Sequence, residues 1–341
     1  MPTIHALICP QCNGRLEPSR FARSIVCPYC GTTIRIDEDT VSASAYREAC
    51  KVWNSPADFP AATLCRIGEG YWSLEGFLAR GESSDVYEAR RARWPTERVV
   101  IKFLREKRDA DLFDREWAVL EELQASEVSG ADALSALIPQ PVIHGEVNEG
   151  SHPGAQAMAF RRAAGFHHTL EDVRRAFPGG IEPRASIWVW RRILEILSFV
   201  HSAGFVHGAV LPPQLLVQEN DHGIRIVGFS CAARIGKKLP AVNPRYEAFY
   251  PQSALDGAAM IPAVDLIMSA RCIAAVLGGD GSAGTLPESI PGPLASVVRR
   301  VGWPDPKDPR FEAALAIREE LGGVASSVYG APKFCPIVMP K

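Results

Sequence analysis

Four thiols lie in two short pairs near the start of the chain, CPQC at 9–12 and CPYC at 27–30. Two thiolates spaced in this way reach one metal ion from a single tight turn. Two such pairs supply the four soft ligands of a tetrahedral zinc centre. Cys9, Cys12, Cys27 and Cys30 are therefore the expected zinc ligands. Gly14 and Gly31 follow the pairs closely, where a tight turn favours a residue without a side chain. The segments SIV (24–26) and TTIRI (32–36) read as short strands around the second pair. A piece this short buries too little apolar surface to fold alone, so zinc would supply its folding free energy. The remaining cysteines (Cys50, Cys65, Cys231, Cys272 and Cys335) are scattered and read as free thiols.

Lys102 and Glu116 form the second candidate constellation. RVVIKFL (98–104) is rich in β-branched residues and reads as a strand carrying Lys102. DLFDREWAVLEEL (111–123) has helical periodicity, with Glu116 four residues after Leu112 and four before Leu120 on the same apolar stripe. A carboxylate on an apolar face needs a cationic or hydrogen-bonding partner.

The elements around these residues fall into an order. FLARGESSDVYEAR (77–90) reads as another strand, IPQPVIHGEV (138–147) contains the next and AQAMAFRR (155–162) reads as one more, and HTLEDVRRAF (168–177) follows them. IWVWRRILEILSFVHSAG (187–204) reads as a buried or amphipathic helix ended at Gly204. LLV (215–217) and IRIV (224–227) flank a turn and read as a hairpin.

The ordered set VVIK, Glu116, GFVHGAVLPPQLLV (204–217), GFS (228–230), YPQ (250–252) and Asp265 resembles the protein-kinase family. The first forty residues resemble a zinc ribbon. The fold class these resemblances imply is α+β, a bilobal protein-kinase-like fold preceded by a small zinc ribbon. The implied domains are a ribbon at 1–40, a linker at 41–71, a small lobe at 72–162, a large lobe at 163–325 and a tail at 326–341. Within the resemblance, Lys102 is the phosphate-binding lysine and Glu116 its helix partner. Asp265 caps its helix and braces the catalytic loop. Leu120, His207 and Phe229 match the family's hydrophobic spine.

The reacting groups of the family are missing. Ala209 stands at the position of the catalytic Asp, while Gln214 and Gly228 stand at the two magnesium-ligand positions. In the phosphate-cradling loop the three glycine positions hold Ala79, Gly81 and Ser84, so Gly81 alone remains. Phosphoryl transfer depends on positioning and on metal ions that neutralise the phosphates. The resemblance therefore implies a pseudokinase with no catalytic residues, a scaffold or allosteric partner of other signalling proteins. It allows weak binding of ATP through Lys102, Glu116 and Gly81 and argues against magnesium. The domain order is similar to that of bacterial zinc-ribbon serine/threonine kinase-like proteins.

Two other classes stay open at this point: an unconventional phosphotransferase or nucleotidyltransferase on the same fold, and a nucleic-acid-binding adaptor acting through the ribbon. The formal net charge of -2 gives no electrostatic case for general nucleic-acid binding. The 47% hydrophobic and 22% charged residues are an ordinary globular balance. No apolar run reaches a membrane-spanning length and the first residues do not read as a secretory signal, so a cytoplasmic protein is expected.

Overall fold

The computed structural model describes residues 24–26, 33–35, 63–92, 97–218, 223–281, 283–305 and 313–340. They divide between two compact units.

The first unit comprises Met1–Gly81, Asp85–Phe103 and Val142–Arg162. Its described part opens with β1 (Ser24–Val26) and β2 (Thr33–Arg35), an antiparallel pair in which Val26 faces Thr33. Cys9, Cys12, Cys27 and Cys30 lie outside the described residues.

Six strands then close into a barrel: β3 (Leu64–Ile67), β4 (Gly70–Arg80), β5 (Ser84–Arg91), β6 (Arg98–Leu104), β7 (Pro141–Gly150) and β8 (Gln156–Arg161). Their order around the barrel is β3-β4-β5-β6-β8-β7. Residues of one strand alternate between its two faces. Val99, Ile101 and Phe103 accordingly point into a core with Trp72, Val147 and Ala159, and Lys102 points the other way.

The barrel begins at Leu64, inside the stretch expected to be a linker. Cys65 and Ile67 are buried and alternate with Leu64 and Arg66, a pattern of two that is too short to stand out in sequence. Closure of β3 onto β7 depends on Gly150. Its φ is +88°, and a methyl group there would sit 2.0 Å from the Leu64 carbonyl oxygen. That oxygen accepts a hydrogen bond of 2.7 Å from the Ser151 N–H.

The second unit comprises Glu82–Ser84, Leu104–Pro141 and Ala163–Lys341. It contains α1 (Ala110–Gln124) and a short α2 (Ala131–Leu134), then β9 (His168–Thr169) leading into α3 (Leu170–Ala176). Next come α4 (Pro183–Ser202), β10 (Phe205–Val206), β11 (Leu215–Gln218), β12 (Gly223–Ile226) and β13 (Ala233–Arg234). A short α5 (Gln252–Leu255), α6 (Ala263–Val276), α7 (Gly292–Gly302) and α8 (Ala314–Tyr329) complete it.

Local chemistry fixes several of these boundaries. Thr169 and Asp172 form a reciprocal capping box at the start of α3. Pro183 starts α4, where its missing N–H costs nothing. Gly204, just past the end of α4, takes the left-handed conformation with φ +85°.

Helix α6 is buried on nearly every side and α4 along one face. The Trp190 Nε1–H donates to Ser269 Oγ at 3.0 Å between them. The expected hairpin is present, with β11 antiparallel to both β12 and β9. After α8 the chain returns to α4. The Trp188 Nε1–H donates to the Cys335 carbonyl at 3.1 Å, and Ile337 is buried. Among the described residues no helix is long and apolar enough to cross a membrane.

Gly150→Ala adds a left-handed alanine and a backbone clash at the barrel seam. We expect a loss of about 2–4 kcal/mol, read by chemical denaturation. A loss under about 0.5 kcal/mol would mean that β3 and β7 are not joined as described.

Candidate functional site

The loop that follows β10 carries the residues singled out at 207–214. Residues 207 to 212 are all buried. Asp265, in the first turn of α6 and fully buried, holds this loop by its backbone. The N–H groups of His207 and Gly208 donate to its two carboxylate oxygens, each at 2.8 Å. His201 Nε2, from the last turn of α4, lies 2.9 Å from Asp265 Oδ2. Asp265 braces the loop as the resemblance implied. The expected capping role is not seen: the residue before α6 is Pro262, and the carboxylate is directed at the loop instead. Nothing in the sequence marked His201 as a third partner. Cys272, also on α6, donates to the Val210 carbonyl.

His207 is fixed at both ring nitrogens. Nδ1 accepts from the Ala209 N–H at 3.2 Å, which leaves the proton on Nε2 to donate to the Val227 carbonyl at 3.2 Å. Burial lowers its pKa, an effect only partly countered by Asp265. The ring is therefore neutral, and its hydrogen bonds serve the loop. Its edge meets the Phe229 ring at 4.4 Å between centroids. Leu120, from α1, is fully buried with them.

Glu116 is almost fully buried on α1, as its place on the apolar stripe required. Its Oε1 accepts from the Phe229 N–H at 3.2 Å. The Lys102–Glu116 pairing that the resemblance implied would join residues of the two different units. Within its own unit, Lys102 places its ammonium over the Phe160 ring at 5.7 Å.

Gln214 and Gly228, which the resemblance set at the magnesium-ligand positions, meet each other. Gly228 has φ +81°, and a methyl group there would lie 2.2 Å from Gln214 Oε1 and 2.5 Å from Gln214 Cδ. The Gln214 carboxamide thus covers the spot from which a side chain at 228 would start. Its backbone is fixed as well, since the Gln214 carbonyl accepts from the Val227 N–H at 2.9 Å. An Asp at 228 would need both a strained backbone and displacement of Gln214. Gly208 is enclosed in a similar way: with φ +69°, a methyl group there would lie 2.4 Å from Leu239 Cδ2 and 2.9 Å from the Cys231 carbonyl. Ala209, which the resemblance set at the position of the catalytic Asp, is buried.

Gly81 lies just past the end of β4, and its φ is not positive. Beside it Arg80 and Asp85 form a two-pronged ion pair at 2.8 and 3.3 Å. The acid-bearing stretch Glu219, Asp221 and His222 lies outside the described residues. No group of three or more metal-ligating side chains occurs among the described residues.

The structure is similar to that of vaccinia related kinase 3, with a TM-score of 0.59 at 16% identity over 88% of this chain and 100% of that one. It is similar also to the BubR1 kinase domain, with a TM-score of 0.59 at 10% identity over 83% of this chain and 92% of that one. The fold is that of a protein kinase domain. No protein-family model matches the sequence. No curated protein matches it either. The kinase-like fold accounts for the order of β6, α1, the 207–214 loop, Gly228–Phe229 and Asp265.

The neutral, buried His207 gives a pH dependence whose sign is fixed. Its pKa is depressed in the folded chain and near 6.5 in the unfolded one. As pH falls through about 6.5 the unfolded chain takes up the proton first. The contribution of His207 is therefore complete above that pH and lost below it. Relative to His207→Gln, the wild type should lose up to about 1.4 kcal/mol per pH unit below about 6.5. Denaturant titrations at pH 5 to 8 read the difference, and parallel curves would contradict the buried neutral ring.

Proposed function

We propose that this chain is a pseudokinase, a scaffold or allosteric partner in a signalling complex. The observation that carries the reading is the contact of Gln214 with Gly228. Where the family places two metal ligands, this chain has a neutral carboxamide packed on a glycine. A carboxamide is a weak ligand and glycine has none to offer, so Mg²⁺ would be held by the nucleotide alone. Ala209 removes the base as well. With positioning and charge neutralisation both weakened, phosphoryl transfer loses its two main sources of acceleration.

Nucleotide binding without metal is compatible with this chemistry. Lys102 supplies a positive charge on the outer face of the barrel. Among its close relations in the sequence, Glu116 is engaged by the Phe229 N–H and Gly81 is flanked by the Arg80–Asp85 pair. The test is calorimetric titration of ATP with and without Mg²⁺, on wild type and Lys102→Ala. Weak binding is expected that is the same within twofold with and without Mg²⁺ and at least tenfold weaker in the variant. Binding that requires Mg²⁺, or phosphate release above background, would overturn the pseudokinase reading. Absence of binding would remove the nucleotide and leave the scaffold.

The zinc ribbon belongs to the same proposal. The pairing of Val26 with Thr33 brings together the two ends of the stretch that carries Cys27 and Cys30. That arrangement fits a knuckle closed by a metal ion. Cys9, Cys12, Cys27 and Cys30 would hold the zinc, which supplies folding free energy and no reaction step. Metal analysis after dialysis should find one zinc ion per chain, lost in Cys27→Ser/Cys30→Ser. Retention of zinc in that variant would exclude these ligands.

A further inference from the structure

Helix α1 ends against its own dipole. The aligned peptides of a helix leave partial negative charge at its C-terminal end, where basic side chains are favoured. The last turn of α1 holds Glu121 and Glu122 and no basic residue. The imbalance continues past the helix. Residues 116–143 carry five acids, Glu116, Glu121, Glu122, Glu127 and Asp132, and neither lysine nor arginine. Two of these are met inside the protein, Glu116 by the Phe229 N–H and Glu122 by Arg234. Glu121, Glu127 and Asp132 are exposed, and among the described residues none of them has an ion-pair partner.

An open cavity of about 430 Å³ lies at this end of the helix, lined by Glu121, Gln124, Ala125, Gln140 and Pro141. All of these residues belong to one compact unit. The polar part of the lining is rich in acceptors. Gln124 spends both amide hydrogens inside the protein, on the Ser135 carbonyl at 2.9 Å and the Pro139 carbonyl at 3.1 Å. What it has left to offer is its own side-chain oxygen. The Glu121 carboxylate only accepts. The Gln140 carboxamide has no hydrogen-bond partner among the described residues, and it stands between Pro139 and Pro141, which restrict the backbone there.

This lining selects by charge and by shape. An anion would meet the Glu121 charge and the negative end of the helix. A divalent metal ion is poorly served by a single carboxylate. A cationic head on an apolar stem fits both halves of the cavity: the head takes the oxygens, and the stem lies on Ala125 and Pro141. Arginine and lysine side chains have that form.

We propose that the cavity at the end of α1 docks a basic segment of a partner protein. One arginine or lysine side chain sits among Glu121, Gln124 and Gln140, and neighbouring basic residues answer the charges of Glu127 and Asp132 in the connection that follows the helix. The surface uses none of the residues of the 207–229 region and stands or falls separately from the pseudokinase reading.

The test uses the full chain loaded with zinc and a fluorescein-labelled oligoarginine peptide. Fluorescence anisotropy follows binding at an ionic strength of about 0.15 M, where distant surface charges are screened. Saturable binding is expected, about fivefold weaker in Glu121→Gln. A similar loss is expected in Ala125→Phe, which keeps every charge and fills the cavity. Glu319→Gln removes an exposed carboxylate from α8 instead and should leave the affinity unchanged. Thermal unfolding verifies that each variant is folded. Spermine in a competition arm identifies the source. If it displaces the peptide only at higher concentration than unlabelled peptide does, the site belongs to a protein segment. Displacement at lower concentration assigns the site to a free polyamine and overturns the proposal. So would an absence of saturable binding, an unchanged affinity in Ala125→Phe, or an equal loss in Glu319→Gln.

Discussion

A single buried carboxylate organises the 207–214 loop. Asp265 has no access to water, so its charge must be met by donors within the protein. The chain provides the backbone N–H groups of His207 and Gly208, with His201 beside them. Backbone donors are an effective answer because they cannot rotate away. They also settle the conformation of the loop, since two successive N–H groups point at one carboxylate only for particular dihedral angles. Gly208 makes that turn with φ +69°. Removing one partner from such a buried arrangement costs about 3–5 kcal/mol in general. The loop is therefore held by an interaction that owes nothing to catalysis.

Gln214 and Gly228 are complementary in shape. A side chain at 228 would have to take a left-handed backbone and displace the Gln214 carboxamide, which rests on the space that Gly228 leaves. Gly208 sits beneath Leu239 and against the Cys231 carbonyl, so the segment after Phe229 covers the loop directly. Gaps in a packed interior cost stability. Here the neighbouring side chains occupy them.

Much of this was legible in the sequence, and the reasons differ by element. The α1 stripe with Glu116 follows from periodicity, the strand bearing Lys102 from its β-branched residues, and the β11–β12 hairpin from the turn between its two strands. The place of Glu116 in the interior was legible too, but its described partner, the Phe229 N–H, is a backbone group far along the chain. Side-chain chemistry gives no hint of such a donor. The same holds for His201 and Asp265, and for Arg225, whose guanidinium donates to the Ala136 and Ile138 carbonyls. Burial lowers the Arg225 pKa to about 10, yet in sequence it is one arginine in an alternating strand. Strand β3 was hidden by its brevity. The compensation between Gln214 and Gly228 was invisible, because spacing shows which residues are replaced but not what fills the space.

Glu116 links α1 to this frame. In the kinase-like pattern a helix glutamate is read as the partner of the strand lysine, which makes its role depend on nucleotide chemistry. Here the carboxylate also receives the N–H of Phe229, the residue next to Gly228. Phe229 in turn meets the His207 ring, and His207 is tied to Asp265 through its own N–H. These contacts form a continuous chain from α1 through the 228–230 segment to the loop and α6, all within one compact unit. Every member is buried, and none of the links requires a metal ion or a phosphate. Two arrangements of such a chain would differ by several buried polar contacts at once, a gap large enough to keep one arrangement dominant.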